Sequence, residues 1–239
     1  MSLSPKRAIS TRPLKNSEDL QAIIALEHAI WGYSDLEVDA PAMLTVASRF
    51  TGQVLGAFDR ERLIGFSFAV AALKAGCLHS HRVGVLPDYQ NLGIGRMLKL
   101  AQREHALAQN INVIQWTFDP LQPRNAYFNI ARLGIISRTY LPNFYGITSS
   151  PLHGGLPTDR LLAEWHLASD HVCEVLSDTP PVRSGDLREI VISMAELKSH
   201  RSEVQARIRD EFLESFGQGY IACGFREEKY SYSYELERS

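Results

Sequence analysis

The amino-acid sequence predicts an α/β protein of the α+β kind. We expect a mixed, mostly antiparallel central sheet with one parallel pair of strands, flanked by helices and followed by a C-terminal α/β extension. Two helical patterns open the chain, three β-rich segments follow in succession, and a further helical pattern then lies between two strand patterns. Antiparallel neighbours need only tight turns, whereas parallel neighbours need a crossover such as a helix, so this order predicts both kinds of pairing.

The first two elements are predicted to be helices. Asn16 followed three residues later by Asp19 resembles a capping box, and apolar residues then recur at helical spacing as far as Trp31. A second, short helix should begin in the segment DAP, with Asp39 as its cap and proline in its first turn, and run to about Phe50. The chain therefore opens with two amphipathic elements.

A meander of three antiparallel strands is predicted next. The segments QVLGAF, LIGFSFAVAAL and CLHSHRVGVLP begin at residues 53, 63 and 77, and all are rich in β-branched or aromatic residues between turn formers. Apolar residues at helical spacing predict a helix from about Gly93 to Gln109, and INVIQWTF predicts the strand after it. Because this helix joins CLHSHRVGV to INVIQWTF, those two strands should run parallel.

The rest of the chain predicts a short helix near residues 125–133, a strand in GIISRTYL and a loop at residues 148–159. Beyond the loop, RLLAEWHL and REIVIS are typical of strands, SMAELKSHRSEVQARIRDEFLESF of one helix, and YIACGF with KYSYSYELE of a terminal hairpin. We predict a catalytic domain over residues 8–167 and an extension over residues 168–239. The extension could complete the sheet, cover a substrate pocket or form a homodimer contact.

Composition narrows the class of protein. The 239 residues are 45% hydrophobic with a net charge of −2, which is typical of a globular chain, and the longest apolar run is shorter than a membrane helix. The N-terminus lacks the apolar core of a signal peptide, so we predict a cytoplasmic protein without membrane contact. Three widely spaced cysteines predict neither disulfides nor a metal site. No basic run carries interleaved aromatics, so we predict no nucleic-acid partner.

One segment is unusual, since LPDYQNLGIGRML places two glycines where a helix should begin. Gly93 and Gly95 each lower helix propensity by about 1 kcal/mol relative to alanine. The unpaired backbone N–H groups and partial positive charge of a helix N-terminus attract phosphate, and glycine lets a ligand approach that backbone. The segment lacks the third glycine of a dinucleotide fingerprint and the GK[ST] of a P-loop. It therefore predicts a different phosphate cradle, with a tight strand-to-helix turn as the structural alternative.

These residues resemble the acyl-CoA-binding signature of the GNAT superfamily of N-acyltransferases, whose pattern is Q/R-x-x-G-x-G/A after a strand ending in V-x-P. Gln90, Gly93 and Gly95 match the three defining positions, and the order of elements over about residues 8–145 is similar to that fold. The resemblance implies acetyl-CoA or another acyl-CoA as cosubstrate. It also implies that the parallel strands diverge beside the signature and leave a notch for the pantetheine arm.

The resemblance implies a role for each matching residue. Backbone N–H groups of the signature would hold the pyrophosphate with Arg96 at hand, the strand end at residues 83–85 would pair with pantetheine, and the same edge would polarise the thioester carbonyl. Asn125 would contact CoA. The implied CoA-binding residues are Val83, Gly84, Val85, Gln90, Asn91, Leu92, Gly93, Ile94, Gly95, Arg96 and Asn125.

The resemblance leaves the general acid open. Members of the superfamily often use a helix tyrosine to protonate the leaving thiolate, but that position holds Ile130 here. Tyr127 lies about one turn earlier, while Tyr140 and Tyr145 lie beyond, and we take Tyr145 as the candidate. Unaided departure is the alternative, since a thiol pKa of about 8–9 makes the thiolate a feasible leaving group.

An amine acceptor arrives protonated, so a base is needed. His79 and His81 alternate with intervening residues on one strand, which would place them on the same face as Val83 and Val85; His81 is the first candidate base. Glu37, between the first two helices, could act as base or bind the amine. Each also has a structural interpretation, a satisfied sheet histidine or a solvated loop charge.

Two hypotheses for function follow. The first is an enzyme that moves an acetyl or similar short acyl group from acyl-CoA to a primary amine of a small molecule, by direct attack in a ternary complex, because no cysteine lies near the signature to relay it. The second is a non-catalytic module that binds or senses CoA, favoured by the missing helix tyrosine.

Overall fold

The computed structural model describes residues 8–147, 155–179 and 185–238. The chain forms two compact units, Met1–Ile114 and Gln115–Ser239, and the boundary between these ranges falls inside the strand segment Val113–Phe118 of the sequence. A functional boundary at residue 167 stays a prediction. Within the described ranges, no helix combines the length and the apolarity needed to cross a membrane.

The first unit contains helices on both faces of an antiparallel sheet. In chain order its elements are β1 (Ile9–Pro13), α1 (Ser17–Trp31), α2 (Pro41–Val46) with a π-helical turn (Ala47–Thr51), β2 (Gly52–Asp59), β3 (Arg62–Ala71), β4 (Cys77–Val85), a 3₁₀ turn (Pro87–Tyr89), α3 (Ile94–Leu107) and the start of β5 (Val113–Phe118). Strands β1 to β4 lie in sequential order, each antiparallel to the next. This confirms the predicted meander and adds β1, which the sequence did not predict.

The predicted parallel pair is also present. The backbone N–H groups of Asn112 and Val113 donate to Gly76 O, at 3.1 and 3.4 Å, so β5 starts beside the residue that precedes β4. Both strands leave this point in the same direction, as the crossover through α3 requires. Their divergence beside the signature stays a prediction.

Two apolar clusters hold the helices of the first unit to the sheet. Leu20, Ile23 and Leu26 of α1 pack against Phe66 and Phe68 on one face. On the other face, α3 contributes Ile94 and Leu98 to a cluster with Leu55, Ala57 and Ile64. Every one of these ten side chains is at least 95% buried, so the clusters fix which face of the sheet each helix covers.

Local sequence signals explain the ends of α1 but not the start of α2. Asn16 is the N-cap of α1, and its side chain accepts from Asp19 N at 2.7 Å, as predicted. Gly32 ends the helix in the left-handed conformation, at φ 68°. The expectation that Asp39 caps α2 is wrong: Ala40 is the N-cap, and the Asp39 carboxylate faces the side chains of β4 instead.

Within its described residues, the second unit contains the rest of β5 and nine further elements. These are α4 (Pro123–Tyr127) with a π-helical turn (Phe128–Arg132), β6 (Tyr140–Leu141), β7 (Arg160–His166), α5 (Asp170–Leu176), β8 (Leu187–Ser193), α6 (Met194–Ser199), α7 (Arg201–Gly217), β9 (Tyr220–Glu227) and β10 (Ser231–Arg238). Strand β6 pairs antiparallel with β7, and β8, β10 and β9 form a separate antiparallel sheet in that order.

Three predictions for the second unit need correction. GIISRTYL forms only the two-residue β6, because Ile136 and Ser137 make single bridges to different strands. The long predicted helix breaks at His200, whose ψ of 44° is not helical, and so divides into α6 and α7. Helix α5 was not predicted. The predicted loop at residues 148–159 lies partly outside the described residues, which omit 148–154.

Candidate active site

Helix α3 begins after a glycine of the signature loop. Gly93 is the N-cap of this helix at φ 78°, a left-handed conformation that suits glycine. The first helical hydrogen bond runs from Met97 N to Gly93 O at 3.0 Å. The amides of Ile94, Gly95 and Arg96 lie before that bond, in the first turn of the helix. A Cβ at Gly93 would meet no atom within 4 Å, so its surroundings are open to a ligand.

Two side-chain hydrogen bonds hold the signature loop, residues 89–96, in place. Gln90 Nε2 donates to Val85 O at 3.1 Å, which ties the loop to the end of β4. Tyr89 OH donates to Asp59 Oδ2 at 3.1 Å, and the Tyr89 ring lies in the α3 cluster. Asn91 adopts φ 60°, a second left-handed residue just before Gly93. The loop is therefore preorganised for an anion.

A β-bulge interrupts the alternation of β4. Arg82 pairs with Phe68 and Ser80 pairs with Ala69, so His81 is an extra residue in the ladder. Ser80 and Arg82 consequently lie on opposite faces of the sheet. This agrees with the contacts, since Ser80 Oγ accepts from the buried Lys99 Nζ of α3 at 3.0 Å, while Arg82 reaches the opposite side.

The bulge overturns the predicted arrangement of four side chains. Val83 and Val85 pack on the α3 cluster, whereas His81 contacts Phe68 and Asp39 on the α1 side. The histidine therefore does not share a face with the two valines, as strict alternation would require. The sequence did not reveal this because a bulge leaves no distinct residue pattern.

A charged cluster surrounds Arg82 on the α1 side. Arg82 Nη1 lies 2.5 Å from Glu27 Oε1, its Nη2 donates to Glu37 O at 3.0 Å, and its Nε lies 3.4 Å from Asp39 Oδ2. The guanidinium is 4.9 Å from the Tyr33 ring centroid. One arginine thus ties β4 to α1 and to the segment that joins α1 to α2.

Burial determines the electrostatics of this cluster. The Glu27 side chain is completely buried, and this desolvation raises its pKa, although the Asp39 N–H and the Arg82 charge act in the opposite direction. Burial also raises the pKa of Tyr33. The Glu27 carboxylate accepts from Asp39 N at 2.8 Å, so the buried acid fixes the backbone that carries the next carboxylate.

His81 faces Asp39 at the open side of the cluster. The distance from His81 Nε2 to Asp39 Oδ1 is 3.3 Å, and the histidine side chain is 40% exposed while that of Asp39 is only 10% exposed. A carboxylate at Nε2 leaves Nδ1 as the ring nitrogen available to a substrate. The pair has the arrangement of a base with its orienting acid.

Glu37 lies near this cluster but is engaged locally. Its carboxylate accepts from Ser34 N at 3.0 Å and from Ser34 Oγ at 2.9 Å, and these hydrogen bonds lower the pKa of Glu37. Its backbone carbonyl, rather than its carboxylate, contacts Arg82. The structure thus brings His81 together with Asp39, Glu27 and Arg82, and it gives the Glu37 carboxylate a turn-stabilising contact.

Two predicted residues belong to the second unit. Asn125 is exposed in α4, and its Oδ1 accepts from Asn129 Nδ2 at 3.3 Å. The Tyr145 hydroxyl shares a hydrogen bond of 3.0 Å with Thr117 Oγ1, and the Arg160 guanidinium lies 5.3 Å from the Tyr145 ring centroid. Ile130 occupies the position where the resemblance implies a tyrosine. Its side chain is 1% exposed and belongs to the apolar core.

Sequence reasoning missed three members of the cluster. Glu27 lies inside a predicted helix, Asp39 resembles a helix cap, and Arg82 directly follows His81, the candidate base. None of the three belongs to a recognisable motif. The sequence carries one weak signal for Glu27. Its carboxylate lies beside the apolar Leu26 of the buried helix face, and a buried glutamate needs a partner.

The comparisons agree with this geometry. Residues 20–134 match the model of the acetyltransferase (GNAT) family. A search of curated proteins finds no match. The chain is similar in structure to the N-acetyltransferase of a ribosomal-protein alanine from Escherichia coli, with a TM-score of 0.55, 14% identity, and coverage of 68% of this chain and 96% of that one.

Two further solved structures have the same fold. One is yncA from Salmonella typhimurium with its cofactor acetyl-CoA, with a TM-score of 0.54, 16% identity, and coverage of 74% of this chain and 99% of that one. The other is a chimera of the spermidine N-acetyltransferase SpeG from Vibrio cholerae and hSSAT. Its TM-score is 0.54 at 15% identity, with coverage of 67% of this chain and 96% of that one. The family match covers residues 20–134, slightly less than half of the chain, and together with the likeness of fold it indicates an acyltransferase that uses acyl-CoA as cosubstrate.

Proposed function

We propose that this protein transfers an acetyl or similar short acyl group from acyl-CoA to the primary amine of a small molecule, by direct attack in a ternary complex. The observation that carries the proposal is the bulge at His81, which directs an exposed imidazole toward Asp39 at the strand that leads into the signature loop. A base is required because an amine nucleophile must lose a proton before or during attack.

The residues of the signature loop fit an acyl-CoA pyrophosphate. The amides of Ile94, Gly95 and Arg96 would hold its oxygens at the positive end of α3, and the open space at Gly93 leaves room for them. Binding here would position the thioester, which supplies an activated acyl carbon. The backbone of residues 83–85 would pair with the pantetheine arm and donate an N–H to the carbonyl oxygen as it becomes negative.

His81 would accept the proton of the amine through Nδ1, directly or through one water. Asp39 at Nε2 would hold the ring in this orientation and stabilise the imidazolium that forms. Nitrogen attack forms the amide bond, and the carbon–sulfur bond then breaks to release the thiolate. We propose Tyr145 as the donor of its proton, with unaided departure as the alternative.

A thiol-release assay tests the proposal. Wild-type protein is incubated with acetyl-CoA or succinyl-CoA and a panel of small primary amines, and free CoA thiol is measured. His81→Gln should lower kcat/KM about 10²–10⁴-fold at pH 7, as expected for loss of a general base. His105→Gln, near the far end of α3, is the matched control and should keep the wild-type rate.

Binding of CoA is tested separately. Gly95→Trp should abolish the thermal shift that CoA gives the wild type, while Ala108→Trp, just beyond α3, should keep it. If CoA binds but no acceptor yields thiol, or if His81→Gln keeps full activity with every active amine, the proposed reaction is wrong.

A further inference from the structure

The segment that carries Tyr145 is held by one buried threonine of the second unit. The amides of Phe144 and Tyr145 donate to the carbonyl and the hydroxyl of Thr158, each at 2.9 Å. The Thr158 hydroxyl donates in turn to Gly146 O at 2.8 Å. Because Thr158 is only 1% exposed, these hydrogen bonds are shielded from water and fix the backbone on both sides of Tyr145.

A buried carboxylate follows this threonine. Asp159 Oδ1 accepts from Asn143 N at 2.9 Å, and Asp159 Oδ2 accepts from Tyr140 OH at 2.9 Å. The side chain of Asp159 is 1% exposed, and a buried charge of this kind needs close partners. The carboxylate thus connects the chain just before β7 to β6 and to the segment that leads to Tyr145.

Arg209 of α7 is the positive partner of this carboxylate. Its Nε lies 2.8 Å from Asp159 Oδ2, and its Nη2 lies 3.1 Å from Asp159 Oδ1. This is the two-point pairing of a guanidinium with a carboxylate, which fixes direction as well as distance. The hydrogen bond to Asp159 raises the pKa of Arg209, so the positive charge persists at any pH near neutrality.

Two neighbours of Arg209 on α7 contact the same region. Gln205 Nε2 donates to Pro157 O at 2.7 Å, and the Phe212 ring stacks on the Tyr140 ring with centroids 5.6 Å apart. Positions 205, 209 and 212 are separated by four and three residues, so they lie on one face of the helix. This face of α7 therefore holds β6 and the chain before β7 together.

The side chain of Tyr145 is accessible, although its backbone is fixed. The residue is 51% exposed, and its hydroxyl shares a hydrogen bond of 3.0 Å with Thr117 Oγ1 of β5. Tyr140 differs, because its hydroxyl is buried against Asp159. Of these two tyrosines, only Tyr145 combines an anchored backbone with a side chain that a reactant can reach, as a functional group requires.

We propose that Arg209 is a positioning residue for acyl transfer, which holds Tyr145 in place through Asp159 and Thr158. This inference rests on the proposed reaction, in which Tyr145 protonates the leaving thiolate. The family match ends at residue 134, so Asp159 and Arg209 both lie outside it. The inference therefore gives the predicted C-terminal extension a part in catalysis, since a misplacement of about 1 Å can lower a rate about 10²-fold.

Amide hydrogen exchange of the full chain measures the positioning without reference to activity. In Arg209→Met, residues 141–147 should exchange about tenfold faster than in the wild type, because the amides that donate to Thr158 and Asp159 open more often. The matched control is Arg207→Met, which removes an arginine from the same helix and breaks only its partly exposed pair with Glu211. It should keep the wild-type exchange at residues 141–147.

The thiol-release assay measures the catalytic consequence. Arg209→Met should lower kcat about 10–100-fold and leave KM unchanged, whereas Arg207→Met should keep both. Arg209→Met combined with Tyr145→Phe should be no slower than Tyr145→Phe alone, because Arg209 acts through the tyrosine. An arginine that only stabilises the fold would lower kcat by the same factor in both backgrounds.

A conservative variant decides the matter if Arg209→Met does not fold, as its circular dichroism spectrum would show. Arg209→Lys keeps the charge but loses the two-point geometry, so it should speed exchange at residues 141–147 and lower kcat, each by about threefold or more. Wild-type exchange or wild-type kcat in a folded Arg209 variant, equal losses in both backgrounds, or full activity of Tyr145→Phe would each overturn the inference.

Failure of the proposed reaction gives a different result. In that case the wild type itself releases no thiol with any amine, and the catalytic part of the inference is wrong together with the reaction. Hydrogen exchange then still shows whether Arg209 holds the segment of Tyr145.

Discussion

Replacing Arg82 by methionine should destabilise the protein severely, because it leaves a buried carboxylate without its partner. Glu27 has no exposed side-chain surface, and its Oε1 lies 2.5 Å from Arg82 Nη1. A charge pair about 4 Å apart interacts by about 4 kcal/mol at the effective dielectric constant that suits protein sites. Breaking a buried pair from one side typically lowers the free energy of unfolding by about 3–5 kcal/mol, and we expect a loss in this range at pH 7.

The loss should depend on pH in a defined direction. Burial already raises the pKa of Glu27 above its ordinary value of 4.5, and Arg82 is one of the groups that lower it. Removing Arg82 should therefore raise that pKa further. A carboxyl with a raised pKa binds its proton more tightly in the folded state, so the unfolding free energy rises as pH falls through that pKa. The deficit of Arg82→Met should shrink as the pH falls from 7 toward 5.

Urea unfolding followed by tryptophan fluorescence measures both effects. The matched variant is Glu27→Gln with Arg82→Met, which removes the buried charge together with its partner. Its unfolding free energy at pH 7 should exceed that of Arg82→Met by about 2 kcal/mol, as coupled neighbours require. If the double variant is no more stable than the single one, or if the deficit of the single variant is the same at pH 5 and pH 7, Glu27 is not the group left uncompensated.

Two further predictions concern glycines of the site. Gly84→Ala would place a Cβ 2.8 Å from Trp31 Cη2 and 2.9 Å from Ile30 Cδ1. We expect this variant to lose about 1–3 kcal/mol of unfolding free energy, measured by urea unfolding. An unchanged urea midpoint would mean that α1 does not pack closely on β4. Gly93→Ala has open space but keeps φ 78°, so it should lose about 1–2 kcal/mol of stability while retaining affinity for CoA in calorimetry. A large loss of affinity with normal stability would show that the glycine does more than permit the turn.

Much of the fold follows from signals that are local in the sequence. The Asn16 cap, the meander of three strands and the glycines that start α3 are each determined by residues within a few positions of one another, and all are present as predicted. The conformation of the signature loop belongs to this group because one short segment supplies both its left-handed residues and the amides at the start of α3. The resemblance to the GNAT family, which the family match over residues 20–134 supports, rests on the same residues.

The charged cluster around Arg82 could not be predicted in this way. Glu27, Asp39 and Arg82 come from a helix, a connecting segment and a strand, and only packing brings them within hydrogen-bond distance. The bulge that turns His81 toward them depends on the register between β4 and β3, which is a property of the pair of strands.

The same distinction explains the errors. GIISRTYL has strand propensity, but the structure divides its bridges between β7 and β9, and Asp39 resembles a cap while tertiary contacts use its carboxylate elsewhere. The sequence by itself determined most of the helices and strands, their order and the conformation of the signature loop, because these depend on backbone preferences over a few residues. Only the tertiary structure decided which charged side chains meet, because burial and strand register arise from contacts between residues far apart in the chain.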